Sequence, residues 1–320
     1  MTNCTAEEIA AKLLAEPRKE FLVYFHEKPD GDAVGSAYAL VIALQAVGAR
    51  AAAFCADAVP PVYAPLTDAV RMDAVTEPVR IAVDSANRTR VKADAGLHFR
   101  FCIDHHEGNS IGADYSFICT DAASCAQLIY SVVRAMGAEI TPLLASLLYT
   151  GIVTDTECFR RRNVNCEVLQ TAAELVRYGA DAAELAERYF RSKSKARMKA
   201  EQYMIKSFRY RCDGRIVSAC LTYDKQQRSG LRDDETEGLN AITDQAAGVK
   251  LGIVVRETEP HQCRISIRAD KGFEAIRIAR HFGGGGHASA AGAVAEGDPA
   301  EIRAELERLC IDYLRKEDLK

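Results

Sequence analysis

The sequence contains no pair of cysteines at CxxC spacing; its eleven cysteines are scattered singly through 320 residues. That spacing excludes a zinc ribbon and argues against a disulfide framework in a chain of this size. The expectation is reduced thiols in a cytoplasm, most of them buried as small hydrophobes. No apolar run reaches the roughly 18 residues that a membrane span needs, so no membrane partner is expected. The opening stretch MTNCTAEEIAAKLLAEPRKE lacks the basic-then-apolar order of a secretory signal. There is no basic excess either: 41 Lys/Arg stand against 45 Asp/Glu, for a formal net charge of −4. A long nucleic-acid duplex held by bulk charge needs a basic face and is not expected. Small anionic ligands stay open, because a bound metal supplies positive charge locally. Internal repeats and low-complexity tracts are also missing. What remains is a soluble globular balance of 48% hydrophobic and 27% charged residues, enough for one large or two medium domains.

The first half alternates strand-like and helix-like segments. FLVYFH (21–26), VRIAVDS (79–85), FRFCIDHH (99–106) and YSFIC (115–119) read as strands. SAYALVIALQAVG (36–48), AASCAQLIYSVVRAMG (122–137) and PLLASLLYTGIVTD (142–155) read as helices, the first stopped by Gly48. The alternation predicts an α/β fold whose parallel sheet is covered on both faces. The second half places strands at 215–223, 249–258 and 262–270 and helices at 273–282 and 300–316, a smaller α/β domain. Between the halves, residues 188–211 carry nine Lys/Arg and one acid without Gly or Pro. They read as a basic helical connector, or as a positive wall over a cleft. The expected division is 1–190, a connector at 191–211, and 212–320.

Four separated segments end a predicted element with metal-competent groups. HEKPDGDAVGS (26–36) offers His26, Asp30 and Asp32. IAVD ends in Asp84. FCIDHH supplies Asp104, His105 and His106, and GIVTDTE supplies Asp155. In an open parallel sheet, ligands collect beyond the carboxyl ends of the strands, so these residues are expected to converge. Carboxylates and imidazoles without thiolate suit Mn²⁺ or Mg²⁺, with Co²⁺ also accommodated, rather than structural zinc. Six such ligands are too many for one catalytic ion with open positions and fit two ions sharing a carboxylate. Such a site activates a water and clamps the oxygens of an in-line phosphoryl displacement.

HEKPDGDAVGS, AVD, DHH and GIVTDT resemble, in order, the four motifs of the DHH phosphoesterase superfamily. GGGGHASAAG (283–292) resembles the signature of the DHH-associated domain that follows in one subfamily, and the likeness covers nearly the whole chain. Among two-domain members it is most similar to the bifunctional oligoribonuclease and 3′-phosphoadenosine 5′-phosphate phosphatase group. The resemblance implies a cleft between the two domains and a role for each residue. His26 and Asp30 would hold one ion, and Asp32, His105 and Asp155 the other, with Asp84 bridging. His106 would face the substrate phosphate and assist proton transfer, and Asp104 would orient an imidazole. The expected substrates are short RNA oligonucleotides and mononucleotide phosphates.

The glycine run also has a direct reading. Consecutive glycines let the backbone approach a ligand and turn successive N–H groups toward an anion. Gly285, Gly286 and His287 are therefore candidate substrate contacts, with Arg268 as a phosphate fork. Where the family commonly has Thr-Gly after the fourth motif, this chain has TECFRRRN, so Glu157 adds a negative charge that Arg160, Arg161 or Arg162 must offset. The alternatives are a phosphodiesterase for cyclic or linear dinucleotide messengers, a pyrophosphatase, and a catalytically silent nucleotide sensor. Cleavage polarity, the physiological metal and the oligomeric state, a homodimer included, stay open at this level.

Overall fold

The computed structural model describes residues 2–92, 96–236 and 238–318. The chain divides into two units, Met1–Ser192 and Lys193–Lys320. The first contains strands β1 (Thr2–Asn3), β2 (Glu20–Tyr24), β3 (Arg50–Phe54), β4 (Val79–Val83), β5 (Phe101–Asp104) and β6 (Tyr115–Ile118). Its helices are α1 (Ala6–Ala15), α2 (Gly31–Ala46), α3 (Ala64–Thr67), α4 (Cys125–Met136), α5 (Pro142–Asp155), α6 (Cys166–Arg177) and α7 (Ala182–Ala186). The second unit contains α8 (Lys195–Lys206), β7 (Arg209–Arg211), β8 (Ile216–Leu221), α9 (Tyr223–Ser229), β9 (Leu251–Glu259), β10 (Gln262–Ala269), α10 (Ala275–Ala279), β11 (Gly285–Gly286), β12 (Ala290–Glu296) and α11 (Pro299–Asp318). No helix among the described residues is long and apolar enough to cross a membrane.

The first sheet has the order β1-β6-β5-β4-β2-β3, and every pairing in it is parallel. Chain order reverses between β2 and β4: β3 lies on one side of β2 and β4 on the other. A crevice at such a switch point opens beyond the carboxyl ends of the strands. The register Tyr24↔Ala82 and Val83↔Ile103 brings His26 and Asp84, which follow their strands, and Asp104, which ends β5, to one level. The expected two-faced helical cover is corrected by the packing. Phe21, Val23, Ile81, Val83, Phe101 and Ile103 bury one face against α1, α2, α4 and α5. The other face carries a smaller cluster of Tyr24, Ala82 and Cys102 under Val91, Phe99 and Ile111, which belong to connecting loops.

Helix α2 begins at Gly31, five residues before the start that its apolar run suggests. Asp30 is the reason: its Oδ1 accepts from the backbone N–H groups of Asp32 and Ala33 at 3.2 and 3.1 Å, a helix N-cap. Glycines then set the helix spacing. A Cβ on Gly35 would lie 2.3 Å from the Leu147 carbonyl oxygen, and one on Gly151 would lie 2.5 Å from Ala126 Cβ and 2.6 Å from Asp32 Oδ1. The close crossing of α2, α4 and α5 thus depends on missing side chains at this point. Gly151→Ala is expected to cost about 1–3 kcal/mol by overpacking and to displace Asp32. Denaturant unfolding together with metal affinity would check both effects.

Strand β3, RAAAF, was not anticipated, because alanine carries little strand preference. The second sheet, β11-β12-β10-β9-β8-β7, is antiparallel except for the parallel β8–β9 pair. One face packs on α10 and α11. The other is partly covered by α8, through Ala200 and Met204, and by residues 239–245. The basic segment 188–211 therefore supplies a helix with an apolar face on this sheet.

Candidate metal centre

Five segments meet at the switch point of the first sheet. His26 lies on the loop after β2 and Asp32 in the first turn of α2. Asp84 follows β4, His105 and His106 follow β5, and Asp155 ends α5. Asp84 sits centrally. Its Oδ2 lies 3.5 Å from His26 Nε2, and its Oδ1 lies 3.4 Å from His105 Nε2 and 3.7 Å from His106 Nδ1. His26 Nε2 is also 3.6 Å from Asp30 Oδ2. His105 Nε2 is 3.7 Å from Asp32 Oδ2 and 3.5 Å from Asp155 Oδ2. These separations are long for hydrogen bonds but let neighbouring donors reach one cation at the roughly 2.0–2.6 Å of Mg²⁺ or Ca²⁺ ligation. Three donor groups result: His26, Asp30 and Asp84; Asp32, His105 and Asp155; and Asp84, His105 and His106.

Burial is severe at this centre. His26 and Asp32 are each 1% exposed and Asp84 2%. Asp84 Oδ1 is buried without a hydrogen-bond partner, which leaves its lone pairs free to ligate a cation. The donor set and that orphaned atom both fit divalent metal. Asp84 adopts φ 48°, a left-handed backbone that aspartate tolerates better than most residues. Asp32 is held by its neighbours: Oδ2 accepts from Cys125 N at 2.6 Å, and Oδ1 from Ala126 N at 2.9 Å and Ser36 Oγ at 3.2 Å. The first turn of α4 therefore points its free N–H groups at a metal-competent carboxylate.

Crowded charge shifts the proton affinities. Burial, then the charge on Asp84, pushes Asp32 up to about 7. Burial, then Asp32 and Asp30, raises Asp155 well above the usual carboxylate range. Burial disfavours charge on His26 and His105, but their carboxylate neighbours outweigh it and raise each to about 11. Burial likewise opposes the Asp84 anion, and the two imidazoles reverse that and hold it well below its ordinary value.

Asp104 orients His106. Its Oδ1 lies 2.8 Å from His106 Nδ1 and accepts from the His105 backbone N–H at 2.9 Å. Its Oδ2 accepts from Asn109 Nδ2 at 2.6 Å. The Asp104 contact is the largest cause of the raised proton affinity of His106. Asp104→Asn should therefore lower the His106 pKa, read by NMR titration of the metal-free chain, and cut turnover about 10–100-fold, the scale seen for groups that orient metal-site imidazoles.

Asn109 and Arg90 were missed at the sequence level. Arg90 Nη2 lies 3.1 Å from His26 Nδ1, on the loop that carries Asp84. The signal was the run NRTR three residues beyond Asp84. Glu157 is offset by Arg161, with which it forms an ion pair, while Arg160 lies over the Phe190 ring at 5.9 Å. Cys158 is half-buried. Glu157, Cys158 and Phe159 all have positive φ, 46°, 57° and 60°, a left-handed turn that begins after Thr156, the C-cap of α5.

The remaining candidates lie in the second unit. Arg268 pairs with Ala290 across β10 and β12. Gly285 and Gly286 form β11 against β12, so the second half of the glycine run is a strand edge, entered through a turn at Gly283. A Cβ on Gly286 would meet the Ala290 carbonyl oxygen at 2.6 Å; close strand packing as well as ligand approach demands glycine there. His287 is exposed, and its backbone N–H donates to Ala290 O at 2.7 Å.

A parallel α/β sheet that gathers carboxylates and imidazoles around a buried central aspartate at its switch point is the architecture of a metal-dependent hydrolase. The chain belongs to the DHH family: the DHH family N-terminal domain matches residues 20–152 and the DHHA1 domain residues 216–312. It is 33% identical over 298 residues to the bifunctional oligoribonuclease and PAP phosphatase NrnA of Thermus thermophilus, with 90% of this chain and 88% of that protein covered. The protein of the same name from Bacillus subtilis is 27% identical, with 91% and 95% covered. Among solved structures, an exopolyphosphatase-related protein from Bacteroides fragilis superposes with a TM-score of 0.85 at 21% identity, covering 98% of this chain and 97% of that one.

Proposed function

We propose that the chain is a two-metal phosphoesterase that hydrolyses short oligoribonucleotides and 3′-phosphoadenosine 5′-phosphate. The observation that carries the reading is Asp84, whose two carboxylate oxygens turn toward separate donor groups, Oδ2 to His26 and Oδ1 to His105. His26 and Asp30 would hold one ion, Asp32, His105 and Asp155 the other, and Asp84 both. The names of the curated relatives supply the substrate class. Bound there, two divalent ions, with Mn²⁺ favoured by the hard oxygen and imidazole donors, would polarise the phosphoryl oxygens and lower the pKa of a water.

The chain's own side chains would do the rest. His106, oriented by Asp104, would donate a proton to the departing oxygen. Arg268, Gly285, Gly286 and His287 would grip the nucleotide. The test is hydrolysis with Mn²⁺ of dinucleotides to hexanucleotides, a 24-nucleotide RNA, 3′-phosphoadenosine 5′-phosphate, cyclic dinucleotides and pyrophosphate. Turnover is expected to fall sharply beyond about six nucleotides, toward the lower end of the roughly 4–16 nucleotides that one strand-binding module spans. Preference for the cyclic dinucleotides, or equal digestion of the 24-mer, would overturn the substrate assignment; no turnover of any member would leave a nucleotide sensor.

A further inference from the structure

The second unit buries an arginine, one of whose guanidinium nitrogens has no hydrogen-bond partner. Arg256 on β9 is 7% exposed, and its Nη1 is enclosed without a hydrogen-bond partner. Among the described residues it has no ion pair. Arginine is almost never buried unless paired. Burial lowers its proton affinity, and the charge of Arg264 lowers it further; Asp233 opposes them from a distance, without a hydrogen bond. Arg264 is the residue directly across the ladder, opposite Arg256 on β10. Like charges directly opposite one another destabilise a sheet. Two features that each weaken the fold therefore coincide at one place.

Side-chain alternation shows what they share. Cys263, Ile265 and Ile267 point into the core beneath α10 and α11, so Arg264, Ser266 and Arg268 stand on the opposite face. Arg256, paired with Arg264, stands on that face too, two residues beyond Val254, which belongs to the cluster under α8. The β12 residues in register with Arg264, Ser266 and Arg268 are Val294, Gly292 and Ala290. They bring no charge, and Val294 is 58% exposed. The first acid in register on β12 is Glu296, opposite Gln262 at the strand end. The result is an open strip with the buried Arg256 guanidinium at its inner edge and the exposed Arg264 beside it.

We propose that Arg256 and Arg264 form a phosphate subsite that holds a backbone phosphate of a short oligoribonucleotide whose terminal nucleotide engages Arg268; the choice of RNA as the anion rests on the reading above. Two planar guanidinium forks are suited to one phosphate, and the anion offsets the like-charge pairing of Arg256 and Arg264. Arg264 and Arg268 are four residues apart, about 13 Å along a strand. A dinucleotide held at Arg268 falls short of the subsite; a strand several nucleotides long reaches it.

The test uses the full-length, Mn²⁺-loaded chain. Fluorescence anisotropy measures binding of a phosphorothioate pentaribonucleotide over a KCl series, and steady-state kinetics gives kcat/KM for pentanucleotide and dinucleotide. Arg264→Ala and Arg256→Gln are each expected to lower the pentanucleotide-to-dinucleotide ratio of kcat/KM about tenfold, the value of one charge-assisted contact. Each should also flatten the log affinity against log salt slope by about 0.7, one phosphate contact on a single strand. Arg256→Lys, which keeps the charge, should fall between. An unchanged ratio and slope in Arg264→Ala, with native circular dichroism and metal content, overturns the proposal even if the Arg256 variants do not fold. If the unaltered chain hydrolyses no RNA, the oligoribonuclease reading fails separately. Inorganic tripolyphosphate then probes the subsite: weaker binding by Arg264→Ala sustains an anion site, and equal binding removes it.

Discussion

Replacing Asp84 by asparagine is expected to lower turnover roughly a hundred- to a thousandfold, the scale on which loss of one electrostatic stabiliser acts, and to reduce bound metal. Asparagine is the informative substitution because residue 84 has φ 48°. Asparagine tolerates that backbone, whereas alanine adds about 1–2 kcal/mol of its own strain. The side chain is 2% exposed and faces three imidazoles, those of His26, His105 and His106. In the metal-free chain its loss leaves buried imidazolium charge uncompensated, a defect worth about 3–5 kcal/mol. Two measurements separate the effects: metal content by elemental analysis, and unfolding of metal-free protein. Near-normal turnover with an unchanged metal complement would remove Asp84 from the centre of the site.

Stripping divalent cations is expected to abolish activity, to lower thermal stability, and to leave a chain whose re-loading releases protons. Metal ligands must be deprotonated. In the metal-free chain His26 and His105 are raised to about 11 and Asp32 to about 7, with Asp155 also raised. The folded state therefore binds more protons than the unfolded one between the ordinary and the raised values. Stability of the metal-free chain falls with rising pH over that range. The histidine contribution is fully present below about 6.5 and is lost as pH rises toward about 11. Asp84 has the opposite sign: it is depressed, and its contribution is lost only in acid, below its ordinary 3.8. Metal competes with those protons, so apparent metal affinity should rise from pH 6 to about 9. At a hundred- to a thousandfold excess over Kd, the ion should add about 2.7–4.1 kcal/mol of stability. Calorimetry in buffers of different ionisation enthalpy reads the protons directly. An affinity independent of pH, with no proton release, would show that these carboxylates and imidazoles are not the ligands.

Much of the first unit was legible because its strands are continuous apolar runs, each closed by a polar residue. VRIAVD ends in Asp84 and FCIDHH in Asp104, His105 and His106, and α5 ends at Asp155 as its pattern implied. Local signals failed where local preference was weak or was overridden. The alanine-rich β3 carries no strand signature, and its place beside β2 is decided by pairing. The start of α2 was hidden because Asp30 belongs at once to a metal-type motif and to a helix cap. The glycine run was conspicuous in the sequence, but glycine allows both a loop and a crowded strand edge, and pairing with β12 makes Gly285 and Gly286 the strand edge.

By itself the sequence determined which side chains can carry charge and ligate metal, the α/β class and the family. Those follow from composition, short-range periodicity and motif order, all properties of neighbours along the chain. Only the tertiary structure decided that Asp84 turns one oxygen to His26 and the other to His105, that Asn109 secures the Asp104 that holds His106, and that Arg256 is buried opposite Arg264. Each depends on strand register and helix crossing between residues far apart in sequence. Proton affinity, strain and unpaired charge arise from distance and burial, which a linear order of residues does not contain.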